Sequence, residues 1–356
     1  MRLEALRRIG HTVMPIDTTS DLRGLRGGFV RAVSKAGWCV DTTHVNQKLV
    51  QCARNHRPAL VWIDKCLAVR AATLRYIRRI APETRLLYYS LDDMGGRHNQ
   101  SRQYLASTPL YDLHVTTKSY NVSELRRMGA RDVLFVDNAF CPDVHRPVEV
   151  TPEERRRLGG PVGFIGAFET QRAEAVLSLA SNRIEVRVWG ESWGRGWGRW
   201  VADHPHSCLR VENGAVFGDD YAKAISSFDV NLCFLRKLNR DRQTTRSIEI
   251  PACGGFMLAE RTREHEELFE EGLEADFFDS HEELASKCRY YLSHPEARLR
   301  IATAGRQRCL LSGYSYDSQL KGVLQYLEKQ RTPSNGRHLR MSSQATDNDD
   351  ADGSPA

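Results

Sequence analysis

The sequence predicts an α/β protein built from two doubly wound domains, and three observations lead there. Its 356 residues suit two domains of ordinary size. Apolar runs of strand length alternate with helix-patterned segments from about residue 59 to 136, and a second series starts at 162. Such alternation marks right-handed βαβ units around a mostly parallel sheet. Between the two series, Cys141 to Gly160 gathers Pro142, Pro147, Pro152 and Gly159, the breakers of a linker.

The elements follow in order. Leu3, Leu6 and Ile9 share a helical face that Gly10 ends, and Thr12 to Ile16 reads as a strand. A doubly wound domain opens strand, tight loop, helix, so the first domain is expected to lack its initial strand. Ala59 to Ile63 is a buried strand, Ala71 to Ile80 a helix, and Arg85 to Tyr89 the next strand. Leu113 to Thr116, a helix from Val122 to Met128 and Asp132 to Val136 complete the first series. In the second, Val162 to Gly166 and Ile184 to Gly190 are strands ending in glycine, around a helix from Arg172 to Ala180. Asp229 to Phe234 and Gly255 to Leu258 are further strands, and Tyr316 to Lys329 is an amphipathic helix. From Arg331 the chain is polar and poor in aromatics, the composition of a disordered tail.

Composition narrows the function classes. No run of about 18 apolar residues is present, so no transmembrane segment is expected. The basic start MRLEALRRIGH lacks the apolar core of a secretory signal. Nine cysteines without a C-x-x-C pair read as reduced thiols of a cytoplasmic protein. The net charge of +6 is mild and its arginines are dispersed, which disfavours nucleic acid.

The segment from Asp241 to Leu258 carries the most chemistry. A helix from about Thr244 to Cys253 turns its free N–H groups and dipole toward the crevice, an anion site that suits a diphosphate. Thr244 and Thr245 add hydroxyls and Arg246 a charge. Glu249, a turn further on, is placed to accept from the vicinal hydroxyls of a ribose. Cys253-Gly254-Gly255 ends the helix with a glycine free to take positive φ. Asp92-Asp93 follows a strand and leaves three readings open: a metal ligand, an acceptor-side base, or a turn cap. His98 and His44 are further candidate bases. Trp189, Trp193, Trp197 and Trp200 read as a packed irregular loop or a sugar-stacking platform.

The stretches R-S-I-E-I-P-A-C-G-G-F-M-L, E-L-F-E-E-G and E-E-L-A-S-K-C-R-Y-Y-L-S-H-P-E-A-R resemble the glycosyl-transferase group 1 C-terminal domain, more narrowly its spore-maturation (CgeB-like) branch. Y-Y-S-L-D-D-M, P-L-Y-D-L-H-V-T-T and D-N-A-F-C-P-D-V-H-R-P look similar to that branch too. The resemblance implies a GT-B fold of two facing Rossmann-like domains. It implies an acceptor-side domain over 1–146, a linker over 147–160 and a donor-binding domain over 161–313. A helix over 314–330 would cross back to the first domain, before the tail at 331–356. It implies a transferase taking a sugar from a nucleotide-sugar donor to a glycan, protein or lipid acceptor, with no cofactor and no metal. Glu249 matches the family's ribose-binding glutamate. Asp241 stands where the E-x7-E pattern has its first acid, one methylene shorter. Gly166, with Glu169 and Arg172, matches the glycine loop opening the donor domain, Arg172 facing the diphosphate. Gly190 follows the next strand, and Val216-Phe217-Gly218 matches the loop beside the base. Asp92, Asp93 and Asp241 are the candidate catalytic acids, the acceptor entering near Asp92 to Arg97. Two rivals share the fold: a nucleotide-sugar epimerase and a non-catalytic surface or maturation protein.

Overall fold

The computed structural model describes residues 1–18, 37–190 and 196–330. Two parallel sheets organise the chain. The first contains β1 (Leu60–Asp64), β2 (Arg85–Ser90), β3 (Leu113–Thr116) and β4 (Val133–Phe135), side by side in chain order. The second contains β5 (Gly160–Ile165), β6 (Val186–Gly190), β7 (Leu209–Asn213), β8 (Phe228–Cys233), β9 (Met257–Glu260) and β10 (Asp276–Phe278). Its order is β10-β9-β8-β5-β6-β7. The winding reverses between β5 and β8, and in such sheets the crevice beyond the carboxyl ends at the reversal is where ligands bind.

The inner strands β2, β3 and β8 are buried on both faces because helices cover both sides. In β2, Leu86 and Tyr88 pack into one cluster with Leu74, Ile77 and Leu125, while Leu87 and Tyr89 pack into another with Leu113 and Val115. The second cluster is closed by Val323 and Leu327 of the helix Tyr316–Lys329. That helix also meets the first helix, Arg2–Arg8, where Ala5 packs with Tyr316 and Leu320. Burying each of these large apolar side chains contributes about 1.5–3 kcal/mol. In the second sheet, Val162, Phe164, Val188, Val230 and Leu232 share a core with Ala173, Val176 and Leu179 of the helix Thr170–Ser181.

Most elements match their expected positions within a few residues, and the differences have physical causes. Thr12 to Ile16 is not a strand. Pro15 lacks an N–H to donate, and a cavity of about 610 Å³ lies between this segment and β1. Two strands, β7 and β10, escaped the reading: Leu209-Arg-Val-Glu-Asn is half polar, and β10 has only three residues. The tail from Arg331 and Trp193 of the tryptophan-rich run lie outside the described residues.

Candidate active site

The crevice between β5 and β8 gathers two arginines. Arg172, in the first turn of Thr170–Ser181, is 3 % exposed. Its guanidinium donates to the carbonyls of Leu235 (3.2 Å) and Ala167 (3.0 Å), which leaves N–H groups over. Arg246 comes from the helix Thr245–Ala252, and its Nε is buried without a partner among the described residues. Both guanidiniums face the Phe164 ring, with centroid distances of 5.6 and 5.8 Å. Burial first, and then the Arg246 charge, push the Arg172 guanidinium down to about 10. Two crowded cations with spare donors and no salt bridge among the described residues repel each other, and an anion would relieve that repulsion.

The start of Thr245–Ala252 is tightly determined. Thr244 is the N-cap: its hydroxyl accepts from the Ser247 N–H, and its own N–H donates to Ser247 Oγ at 3.0 Å. The Ser247 hydroxyl lies 2.7 Å from His265 Nε2, and His265 Nδ1 lies 2.6 Å from the Glu260 carbonyl. A carbonyl only accepts, so Nδ1 carries the imidazole proton and Nε2 takes the Ser247 proton. Burial lowers His265 to about 4, with the Glu260 carbonyl opposing, so the ring stays neutral at ordinary pH. The N–H groups of Thr245 and Arg246 and the Thr244 hydroxyl proton remain for a ligand. This is the donor set of an anion site at a helix N-terminus.

Glu249 sits on the same helix and is buried. Its Oε2 accepts from the Tyr221 hydroxyl at 2.6 Å, and its Oε1 lies 3.7 Å from His145 Nε2. The Cys141 N–H donates to His145 Nδ1 (3.0 Å), so the neutral ring turns its Nε2–H toward the glutamate. A carboxylate has about four acceptor positions, so Glu249 retains room for hydroxyl donors. Tyr221 belongs to the helix Asp219–Ser227, which Gly218 opens at φ +57°, a backbone state that favours glycine. Phe217 beside it is 76 % exposed. Gly166 and Gly190 serve each other's packing: a Cβ on Gly190 would fall 2.5 Å from the Gly166 carbonyl oxygen and against Trp197. Glu169 accepts from Arg236 Nε and the Lys237 N–H.

Of the three readings left open for Asp92-Asp93, the contacts of Asp93 suit the turn cap. Asp93 is 1 % exposed and saturated. It accepts from the Gly95 and Gly96 amides, Asn121 Nδ2, and Arg240 Nε and Nη2. Burial raises its carboxyl, but Arg240 and Asn121 outweigh that and hold it below the usual range, where it makes a poor base. Asp92 is paired with Lys65 and accepts from Asn239 Nδ2 at 3.0 Å. Burial is again outweighed by the cation, and the carboxyl stays low. His98 Nε2 is 3.1 Å from Asn239 Oδ1, and His44 lies apart, as N-cap of the helix Val45–His56.

These contacts reveal a cross-sheet clasp that sequence reasoning missed. Loop 236–243, between β8 and the helix Thr245–Ala252, reaches the carboxyl ends of the first sheet. Arg240 joins Asp93 and Glu124, and Gln243 Oε1 accepts from the Asn138 amide at 2.9 Å. Asp241 lies with Oδ1 2.6 Å from Lys118 Nζ, both side chains nearly buried. The contact is close but poorly aligned for a hydrogen bond. Burial raises the Asp241 carboxyl, and Lys118 opposes it. Lys118, Tyr221 and His265 lie outside the stretches that carry the resemblance, and Ser247 and His145 lie inside them without having been given a role.

Comparison with solved structures settles the architecture. HepE from Anabaena, solved with UDP and glucose, is 14 % identical and superposes with a TM-score of 0.58 over 80 % of this chain and 81 % of that one. A glycosyltransferase from Rickettsia africae gives 12 % identity and a TM-score of 0.58 over 93 % and 88 %. Sucrose-phosphate synthase from Thermosynechococcus elongatus gives 13 % and 0.55 over 82 % and 81 %. The fold is GT-B. At these identities the likeness shows the architecture alone. Residues 171–325, which carry Arg172, Arg246 and Glu249, match a family model described as glycosyl transferase-like. None of the curated proteins matches the sequence. Among the described residues no helix is long and apolar enough to cross a membrane.

Proposed function

We propose that this GT-B chain is a glycosyltransferase that takes its sugar from a nucleoside-diphosphate donor bound in the second half. The observation that carries the reading is the pair Arg172 and Arg246, two cations without a salt bridge among the described residues, converging at a helix N-terminus in the sheet's reversal crevice. A diphosphate supplies the missing anion. The two guanidiniums, the Thr245 and Arg246 amides and the Thr244 hydroxyl stabilise the charge that grows on the leaving diphosphate. Glu249, held by Tyr221 and His145, accepts from the ribose hydroxyls. Phe217 and Gly218 flank the base, and Gly166 and Gly190 shape the crevice floor by close packing. The likeness to a fold solved with UDP-glucose supports a UDP-sugar as the first donor to try.

In this reading residues 1–146 form the acceptor-side domain, 161–313 the donor domain and 147–160 the linker. The acceptor is a glycan, protein or lipid that enters from the first domain, and charge neutralisation comes from the chain's own cations. Closure of the two halves excludes water and limits hydrolysis of the donor.

The test is binding and slow hydrolysis of a panel of nucleotide sugars, led by UDP-glucose, by the wild type and by Glu249→Ala. The reading expects saturable binding, with release of the nucleoside diphosphate, weakened at least about tenfold in the variant, as loss of a charged hydrogen-bond acceptor should give. A folded wild type that binds no nucleotide sugar would sink it.

A further inference from the structure

His265 is fully buried, and its ring lies parallel to the Phe277 ring, with 5.9 Å between centroids and 7° between planes. It belongs to the helix Arg263–Leu268, whose N-cap is Thr262. The Thr262 hydroxyl oxygen accepts the His265 N–H at 3.1 Å, and the hydroxyl donates to the Arg242 carbonyl at 2.6 Å. The start of this helix therefore holds the chain on both sides of Thr244. Thr262 takes Arg242, two residues before that cap, and the His265 ring takes Ser247, three residues after it.

The hydrogen bonds from His265 to the cap run in one direction. The Glu260 carbonyl only accepts, so it fixes the ring proton on Nδ1 and leaves a lone pair on Nε2. Nε2 takes the Ser247 proton, and the Ser247 oxygen is left to accept the Thr244 N–H. The Ser247 N–H in turn donates to the Thr244 hydroxyl oxygen. That oxygen is thereby held toward the helix as an acceptor, with its own proton left over. Cys233 Sγ, 3.7 Å from Ser247 Oγ, is the competing partner of the serine hydroxyl. Sulfur is a weak acceptor, so the imidazole decides which way the serine turns. An apolar aromatic ring would fill the same space and stack on Phe277, but it could not make that choice.

We propose that His265 is a positioning residue of the diphosphate site: acting through Ser247, it presets the Thr244 hydroxyl and the Thr245 and Arg246 amides as phosphate donors before the ligand arrives. This rests on the donor-site reading above and deepens it. Presetting the donors cuts the ordering cost of binding, and the gain belongs to the phosphates and not to the nucleoside.

The test compares UDP and uridine affinities by titration calorimetry in the wild type, His265→Phe, His265→Gln, Ser247→Ala and the double variant H265F/S247A. Ser247→Ala cuts the same link from its other end, so it decides the question if His265→Phe does not fold. In His265→Phe and Ser247→Ala the UDP Kd should rise about fivefold or more while the uridine Kd changes less than about twofold. The double variant should lose no more than the worse single one, because both substitutions break one chain of hydrogen bonds. His265→Gln, whose amide can donate to the Glu260 carbonyl and accept from Ser247, should recover part of the loss. Equal losses for UDP and uridine would make His265 a structural residue only. Additive losses in the double variant would mean that it does not act through Ser247, and an unchanged UDP Kd would remove it from the site. Each of these overturns the proposal while leaving the donor site standing; a wild type that binds neither UDP nor UDP-glucose would overturn both.

Discussion

The two sheets of this molecule meet across one crevice, and they treat charge in opposite ways. On the first-sheet side every candidate acid is engaged: Asp92 with Lys65, Asp93 and Glu124 with Arg240. On the second-sheet side Arg172 and Arg246 crowd the Phe164 ring with no salt bridge among the described residues, and Arg246 Nε is buried with no partner there. Paired charge holds a fold or an interface together. Unpaired buried charge costs free energy that only a ligand returns. The contrast therefore assigns the anionic ligand to the second half and a closing role to the acids of the first.

The largest expected effect lies on the unpaired side. Arg246→Ala should lower kcat about 10²–10³-fold with the melting temperature nearly unchanged, the range for losing one charge-stabilising donor. A loss below about fivefold in a sugar-transfer assay would put the developing charge elsewhere. Next comes the paired side. Asp93→Ala removes the acceptor of the Gly95 amide and one of two acidic partners of Arg240 and Asn121, which keep Glu124. It should cost about 2–4 kcal/mol of stability in denaturant unfolding, with kcat per folded molecule within about threefold of wild type. A hundredfold loss of kcat at intact stability would instead make Asp93 the base.

The pH dependence of stability sharpens the same contrast. His265 is lowered from 6.5 to about 4 by burial, opposed by the Glu260 carbonyl. The unfolded chain therefore binds the extra proton between those values. Stability is fully present above about 6.5 and falls toward about 4, by roughly 1.4 kcal/mol per pH unit at most. Melting curves of wild type should show that slope over the window, and His265→Gln should flatten it. The smallest effect is at Glu249. Tyr221→Phe removes one donor to Glu249 and should weaken donor binding about three- to tenfold in calorimetry; an unchanged Kd would mean that the hydroxyl does not orient the carboxylate.

How much of this was legible in the sequence also divides between the halves. The helix Thr245–Ala252, its cap Thr244, Arg246 and Glu249 lie within a few residues of one another. Local rules of capping, helix dipole and glycine termination therefore reach them, and Gly254 does take φ +76°. The clasp depends on partners far apart in the chain: Arg240 and Asp93 are 147 residues apart and Lys118 and Gln243 are 125. No periodicity encodes such a meeting, so the sequence left the acidic pair after a strand open between a metal ligand, a base and a turn cap. His145 and His265 escaped for the related reason that their use is set by one hydrogen bond on each ring nitrogen. Strand order was legible only as a class. Alternating runs indicate a parallel sheet, but the reversal between β5 and β8, which locates the crevice, depends on which strands pair.

The central claim is that the two unpaired arginines mark a diphosphate site, and the most direct measurement compares UDP with uridine binding in the wild type and in Arg246→Ala. The account predicts that UDP binds the wild type at least about a hundredfold more tightly than uridine, as two or more charge-assisted hydrogen bonds should give, and that most of this advantage disappears in the variant. Equal affinities for UDP and uridine in the wild type, or an advantage that survives loss of Arg246, would contradict it.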